Sequence, residues 1–489
     1  MVFKGRTVLA FVLLALFAGS LLTMTAGDIS FRDNASSPKA STTPQASASE
    51  ENGITQKDLD KVEKTYSLIE SNYLTKVNHD TIVNGAINGM LAALDDPYTT
   101  YMNQDEAKEF SENINSSFQG IGAECSIVDG KVTVMSPLKD SPAERAGIRS
   151  NDVISSVNGE SLDGLTLNQA VMKIRGPKGT QVKLAILRAG SSAPIELSIV
   201  RDDIPLETVY GEMVTDTIGK IEITQFSTNT AERFTEELNS LEAKGMKGLI
   251  IDVRDDPGGL LQCVIDIAEH FVPKGKPILN AEDRDGNRQP YLAQGKYPLK
   301  TYPVTVLTNG GSASASEILA AAIRESAGGK LIGEKTYGKG TVQVTYEREM
   351  GDGSNIKMTI NKWLTPDGNW IHKKGIEPDV AVSQPEYFRM LAMTMKETLK
   401  PDTVSDEVKK LQVMLQAVKM DPGREDGYYS DKTTQAVKAF QKKSGLKETG
   451  LADQATMTKL EEAVVQLIRD PKNDEQLKAA VKATEDRLK

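Results

Sequence analysis

Two stretches of this 489-residue chain repeat one pattern and restrict what it can fold into. "GLIIDV" (248–253) runs through "RDDPGG" into "LLQCVIDIAEHF", and "PVTVLT" (303–308) runs through "NGGSAS" into "ASEILAAAIRESA". An unbroken apolar run of this length marks a strand covered on both faces, which is the habit of parallel sheets. Two strand–loop–helix units in series, within roughly 204–382, predict an α/β core. Ligands of such cores sit where strands end and helices begin.

The loop between the second strand and its helix, "NGGSASASEILAAA", holds three serines among glycines and alanines. Ser314-x-x-Glu317 before an apolar run reads as a capping box, with hydroxyl and carboxylate each satisfying a backbone N–H. That reading leaves the paired glycines and the alanines unexplained. Small side chains allow a substrate backbone to approach closely, and a helix amino end offers spare N–H groups to a developing oxyanion. A serine hydroxyl stays inert until a base takes its proton. The three histidines, His79, His270 and His372, fall in no HExxH-type pattern, so no metal is expected. Lys339, in "GEKTYGKGTVQVTYE", lies 25 residues after Ser314 (339 − 314), enough for a helix and a strand to return to the same strand ends. An ordinary lysine is neutral in only about one molecule in 2,500 at pH 7. Lowering a lysine pKa by roughly three units costs about 4 kcal/mol, which burial among glycines and apolar groups can impose. On residues alone, Ser314 stays a cap or a nucleophile. Lys339 stays a turn lysine or a base, and His372 stays a rival base.

The rest of the chain divides by composition. "MVFKGR" followed by about 20 nearly all apolar residues reads, over 1–27, as a secretion signal or a membrane anchor, with the remainder outside the cytoplasm. The composition of residues 28–53 reads as a polar, disordered linker. Over 54–113 the spacing of Leu59, Val62, Tyr66 and Ile69 predicts helices with a buried face, serving as scaffold or dimer contact and ending at "LDDPYTTYM" (94–102). Over 114–203 the runs "KVTVM", "DVISSVNG" and "QVKLAIL" predict short strands, joined by the helices "SPAERAG" and "TLNQAVMKI". This pattern resembles a PDZ domain. The resemblance implies that backbone N–H groups of Gly120, Ile121, Gly122 and Ala123 hold a peptide's terminal carboxylate while the peptide adds a strand. Arg175 reads as a solvated arginine or a sensor of bound peptide. Over 404–466 the order of "DGYYSDKTTQAVKAFQKKSGLKETGLADQATMTKL" resembles a peptidoglycan-binding repeat, or else a helical cap that binds nothing. The charged tail, 467–489, reads as a solvated helix or frayed end. A net charge of −10 excludes a nucleic-acid partner, and two distant cysteines predict free thiols rather than a disulfide.

"GSASASEI", "GEKTYGKGTVQ", "IIDVRDDPGGLL", "WLTPDGNWIHKKGIEPDVAV" and "LDDPYTTYM" together resemble the C-terminal processing peptidases, or tail-specific proteases. The resemblance implies a catalytic core over 204–395 in which Ser314 is the nucleophile, Lys339 the general base and Gln343 the residue orienting the lysine through a side-chain hydrogen bond. Backbone N–H groups of Ala315 and of Gly258 or Gly259 would form the oxyanion hole. Ser312 or Ser316 would then serve the helix cap. Asp256 stands where the family more often has Asn. The expected whole is a multidomain α/β and α+β protein: helical segment, PDZ domain, serine protease core and small helical domain. Its expected activity is that of an extracytoplasmic serine endopeptidase, secreted or membrane-anchored, that captures protein C-termini and works through an acyl-enzyme. No cofactor is expected, the cell wall is a further partner and a homodimer stays open. The competing expectation is a non-catalytic PDZ adaptor tethering partner tails to the cell wall.

Overall fold

A computed structural model describes residues 23–25, 53–115, 117–128, 130–138, 141–188, 193–389 and 397–489. Nearly all of the apolar leader (1–27) and of the linker (28–53) lies outside these residues. Among the described residues no helix is long and apolar enough to cross a membrane.

The core sheet runs Val209–Met213, Ile218–Ile223, Gly248–Asp252, Val304–Thr308, Lys330–Gly333 and Val380–Ala381 in spatial order, all pairs parallel except the first. Spatial order follows chain order. Right-handed crossovers therefore put every connecting helix, Thr230–Ala243, Leu261–Ala268 and Ala315–Ala321, on one face. The strands alternate accordingly. Leu249, Ile251, Val304, Val306 and Leu331 join the main core on that face, while Ile250, Leu307 and Ile332 point the other way.

The second face is covered by the helix Glu475–Leu488, through Leu477 and Ala480. The hydroxyls of Thr305 and Thr484 are 2.8 Å apart beneath it, and Arg487 donates to Val304 O and Gly328 O, each at 2.8 Å. This corrects the expectation of a solvated tail over 467–489. The buried stripe, Gln476, Leu477, Ala480 and Thr484, is mostly small or polar, so the flanking charges conceal it.

A second sheet orders Thr23–Thr25, Thr341–Thr345, Asn355–Leu364, Pro277–Glu282 and Arg288–Leu292, the first pair parallel, and the short strand Thr100–Met102 pairs with Asn355–Lys357. The segment "LDDPYTTYM" is thereby fastened to this second sheet. Before it, helices Gln56–Asn72 and His79–Ala92 bury no side chain. The predicted buried face of the first is corrected: Leu59 is 45% exposed and Val62 55%.

The PDZ sheet orders Ala123–Val128, Lys131–Pro137, Val153–Val157, Gln181–Leu187 and Ile195–Val200, with its own core around Val134, Ile154, Val182 and Ile186. Ser117–Gly120 and Asp202–Pro205 pair antiparallel where the chain enters and leaves the domain. Helices Asp406–Ala417, Asp431–Lys443 and Gln454–Arg469 pack around Val408, Leu411, Val437, Phe440 and Leu460. This helical unit leaves the α/β body near Gln384 and returns at Asp474, whose carboxylate accepts from Gln384 Nε2 (2.6 Å) and pairs with Arg254 (2.9 Å).

Candidate active site

Ser314 stands at the carboxyl end of the strand Val304–Thr308 and begins the helix Ala315–Ala321 with φ 59°. A left-handed conformation at a non-glycine residue costs about 1–3 kcal/mol and persists only when its surroundings enforce it. Here the neighbours do so. Ser312 Oγ accepts from Asn309 N (3.0 Å) and donates to Val253 O (2.7 Å). Ser316 Oγ donates to Asp256 O (2.9 Å), which also accepts from Ala313 N (3.1 Å). Both flanking serines thus lace the loop to residues 253–256, and the expectation that one of them caps the helix is corrected. Ser314 Oγ is buried and, among the described residues, has no hydrogen-bond partner.

Glu317 takes the cap instead, and does more. Its Oε2 accepts from Ser314 N and from Lys339 N, each at 2.8 Å, and its Oε1 accepts from Gly338 N (2.7 Å) and Thr336 Oγ1 (2.5 Å). The backbones of Ser314 and Lys339 are therefore less than two hydrogen-bond lengths apart across one carboxylate oxygen. Burial raises the Glu317 pKa, and the bonds from Thr336, Lys339, Ser314 and Gly338 oppose that rise.

The Lys339 side chain is fully buried. Burial pushes its amine well below the ordinary lysine range. Lys357 pushes the same way, while Asp96 and Glu317 oppose. Its Nζ lies 4.9 Å from the centre of the Tyr98 ring, and its carbonyl accepts from Trp363 Nε1 at 2.7 Å. An amine of lowered basicity and an unbonded hydroxyl, with their backbones held on one carboxylate, have the chemistry of a base and a nucleophile. His372, the rival base, accepts from Gly340 N (3.3 Å) and stacks on Trp370, with no bond to Ser314.

Gln343 differs from expectation. Its Nε2 donates to Thr341 Oγ1 (2.9 Å) and Thr359 Oγ1 (3.0 Å), while its buried Oε1 has no partner among the described residues, so no bond to Lys339 is made. Of the two oxyanion candidates in the P-G-G turn, Gly258 N donates to Asp256 Oδ1 (2.8 Å). Gly259 N–H and Ala315 N–H have no acceptor among the described residues. Gly259 has φ 152°, and a Cβ there would sit 1.9 Å from Phe226 O. Burial holds the Asp256 carboxyl well above its ordinary range, against bonds from Gly258 and Ser316.

In the PDZ domain, Ile121 O accepts from Ala143 N, and Gly122 O from Leu138 N and Ser141 Oγ. Gly122 has φ 76°, and a Cβ there would meet Ser141 Cβ at 2.4 Å. Beside this loop a groove of about 310 Å³ is lined by Ile121, Gly122, Ala123, Val171 and Ile174. Gly120 pairs with Asp202 at the domain's edge. Arg175 is not simply solvated: its guanidinium lies 4.7 Å from the Phe118 ring centre and 3.7 Å from Glu112.

The sequence reading did not assign the four-bond role of Glu317, or place Tyr98, Asp96 and Lys357 around the lysine. The capping-box signature flagged Glu317, but nothing local pointed to the others.

The model for peptidase family S41 matches residues 217–382, and that for the activating protease CtpB N-terminal domain matches 16–106. A PDZ domain matches 133–188 and a peptidoglycan binding domain 404–460. The chain is 45% identical over 475 residues to the carboxy-terminal processing protease CtpB of Bacillus subtilis (strain 168), covering 96% of this chain and 98% of that protein. It is 46% identical over 423 residues to carboxy-terminal processing protease CtpA of the same organism, covering 86% and 89%. Among solved structures, the photosystem II D1 C-terminal processing protease is similar at 28% identity and a TM-score of 0.40, over 66% of this chain and 86% of that one. Likeness of this extent to two processing proteases, along a chain that also carries the S41 core and a PDZ domain, means that the protein belongs to the carboxy-terminal processing proteases of peptidase family S41, which are serine-type peptidases.

Proposed function

We propose that Ser314 is the nucleophile and Lys339 the general base of an endopeptidase acting on proteins captured by their C-termini. One observation carries this reading: Ser314 N and Lys339 N share Glu317 Oε2, and the lysine is fully buried with its basicity lowered. Ser314 Oγ attacks the scissile carbonyl as Lys339 Nζ accepts its proton. The oxyanion is received by the unengaged N–H groups of Ala315 and Gly259. Lys339 then protonates the leaving amine and, in the second half, takes a proton from the water that frees Ser314 from the acyl-enzyme. Gln343 Oε1, buried and unsatisfied, is suited to accept from the amine when it becomes charged. The PDZ loop Gly120–Ala123 holds a terminal carboxylate and feeds the chain toward the core.

The unit 404–466 directs the enzyme to peptidoglycan, and the leader 1–27 takes it outside the cytoplasm, as a secreted or membrane-anchored protein. Helices Gln56–Asn72 and His79–Ala92, which bury nothing within this chain, support self-association. The test is cleavage of casein or an apolar tail peptide by the wild type beside Ser314→Ala and Lys339→Ala, with folding checked by circular dichroism. Both variants are expected to be inert. Undiminished cutting without Lys339 refutes the mechanism, and partner tethering that survives Ser314→Ala favours the adaptor instead.

A further inference from the structure

The segment after the two N-terminal helices, read from sequence as scaffold, lies against the lysine. Asp96 shapes it: its Oδ1 accepts from Tyr98 N (3.1 Å) and its Oδ2 from Thr99 Oγ1 (2.7 Å). Thr99 Oγ1 accepts in turn from Thr359 N (3.1 Å), and Thr100–Met102 continue as a strand on Asn355–Lys357. Tyr101 OH donates to Asn84 Oδ1 (3.0 Å), tying the same segment to the helix His79–Ala92. These bonds leave the Tyr98 ring little freedom. It faces Lys339 Nζ at 4.9 Å and meets His372 edge-on at 6.2 Å, and His372 stacks on Trp370 at 5.3 Å. Trp370 Nε1 donates to Gly340 O (2.8 Å), so this aromatic wall is anchored to the residue after the lysine.

We propose that Asp96–Met102 is a fixed lid on the lysine chamber and that Tyr98 is its positioning residue, acting on catalysis by keeping water from the Lys339 amine. This rests on the serine–lysine reading given above. Two effects of the ring oppose each other. Its negative face attracts an ammonium, favouring the charged lysine, whereas its bulk excludes water and disfavours that charge. Lys339 is wholly enclosed with the ring as part of its wall, so exclusion of water is taken as the larger effect, and the leucine variant below separates the two. The other groups facing the amine are fixed by the same segment and its neighbours. Lys357, itself pushed down to about 8 by burial, adds repulsion from the strand Asn355–Leu364. Asp96 on the lid and Glu317 on the nucleophile helix add attraction. Burial of Asp96 is outweighed by bonds from Thr359, Thr99 and Tyr98, with His372 nearby, so it stays ionised. Burial and Tyr337 hold the Tyr98 phenol above its ordinary range, so it stays neutral.

The experiment is the pH profile of kcat/KM on a tail peptide, paired with the pH dependence of inactivation by a serine-directed fluorophosphonate, which reads Ser314 reactivity without peptide capture. The enzyme works with a neutral lysine, so activity rises with pH through the lysine's folded value. In Tyr98→Ala both profiles are expected to move up by about one pH unit, a loss of about tenfold at a fixed pH below the limb, with the alkaline plateau kept. Tyr98→Phe is expected to match the wild type, and Tyr98→Leu, which excludes water without an aromatic face, to lie at or below it. Thr99→Ala, which unties the lid from Thr359, is expected to shift the limb upward and serves if the alanine variant of Tyr98 does not fold. An unmoved limb in a folded Tyr98→Ala or Thr99→Ala overturns the proposal, as does a leucine variant that shifts as far as alanine. If Ser314→Ala still cleaves, the site reading itself has failed. If Ser314→Ala is inert and the limb stays put, only the lid inference has.

Discussion

Replacing Lys339 with methionine, close in length and without charge, should make the protein more stable at neutral pH while abolishing cleavage. The lysine's folded pKa is depressed, chiefly by burial, whereas in the unfolded chain it sits near 10.4. Between those values the unfolded chain binds a proton that the folded chain does not. Stability of the wild type therefore rises with pH across that window, by about 1.4 kcal/mol per pH unit from this one group. The methionine variant lacks the effect. Its advantage should be largest at and below the folded value, shrink at that slope as pH rises above it, and level off near the unfolded value of about 10.4. Urea unfolding followed by tryptophan fluorescence reads the right region, because both tryptophans report on the lysine loop. Trp363 donates to Lys339 O and Trp370 to Gly340 O. Other titrating groups cancel in the difference between the two proteins. A difference that does not change with pH, or a wild type that is the more stable at pH 7, would mean that Lys339 keeps its charge when folded and would refute the general-base argument.

Three further outcomes are expected. In Glu317→Gln, one face of the amide must turn a donor toward Gly338 N–H or toward Ser314 and Lys339 N–H, which costs about 2–3 kcal/mol in urea unfolding and at least about tenfold in kcat; a change below about 0.5 kcal/mol refutes the clamp. Leu477→Ala should destabilise the protease body by about 2–4 kcal/mol, seen in the Trp363 signal; a silent Trp363 transition would mean that Glu475–Leu488 does not cover the sheet in solution. Gly259→Ala drives a Cβ into Phe226 O, which is backbone and cannot yield cheaply, so it should abolish cleavage in a protein that still binds tail peptides through its PDZ domain.

The parallel core and its reactive loop were legible because each strand is apolar throughout and each helix follows at once. Ser314 follows the carboxyl end of the strand Val304–Thr308, and its backbone N–H shares Glu317 Oε2 with that of Lys339. What escaped were contacts that the chain makes at long range with residues of ordinary type. Glu317 gains Thr336, Gly338 and Lys339 from a loop about 20 residues on, and Tyr98 meets a lysine more than 200 residues away. A short polar segment carries no periodicity to announce such a destination. The helix Glu475–Leu488 was misread for the opposite reason: its pattern is present, but Gln476 and Thr484 bury amide and hydroxyl groups whose partners, Val382 O and Arg254 for the amide and Thr305 for the hydroxyl, lie far along the chain. Gln343 shows the remaining gap, since a side chain with both donor and acceptor can satisfy either end, and here the threonines take the donor.

Because Glu475–Leu488 roofs the catalytic sheet, the three-helix unit over 397–470 is an insertion in the protease rather than an appendage. It is moored at both ends, through Gln384 where the chain departs and through Asp474 where it comes home. Vectorial synthesis must then deliver that whole unit before the hydrolytic body can seal itself, so a chain halted anywhere short of the roof leaves Ile250, Leu307 and Ile332 of the core sheet open to water. A wall fragment gripping the inserted helices would likewise orient the entire enzyme on two hawsers, not swing it on one.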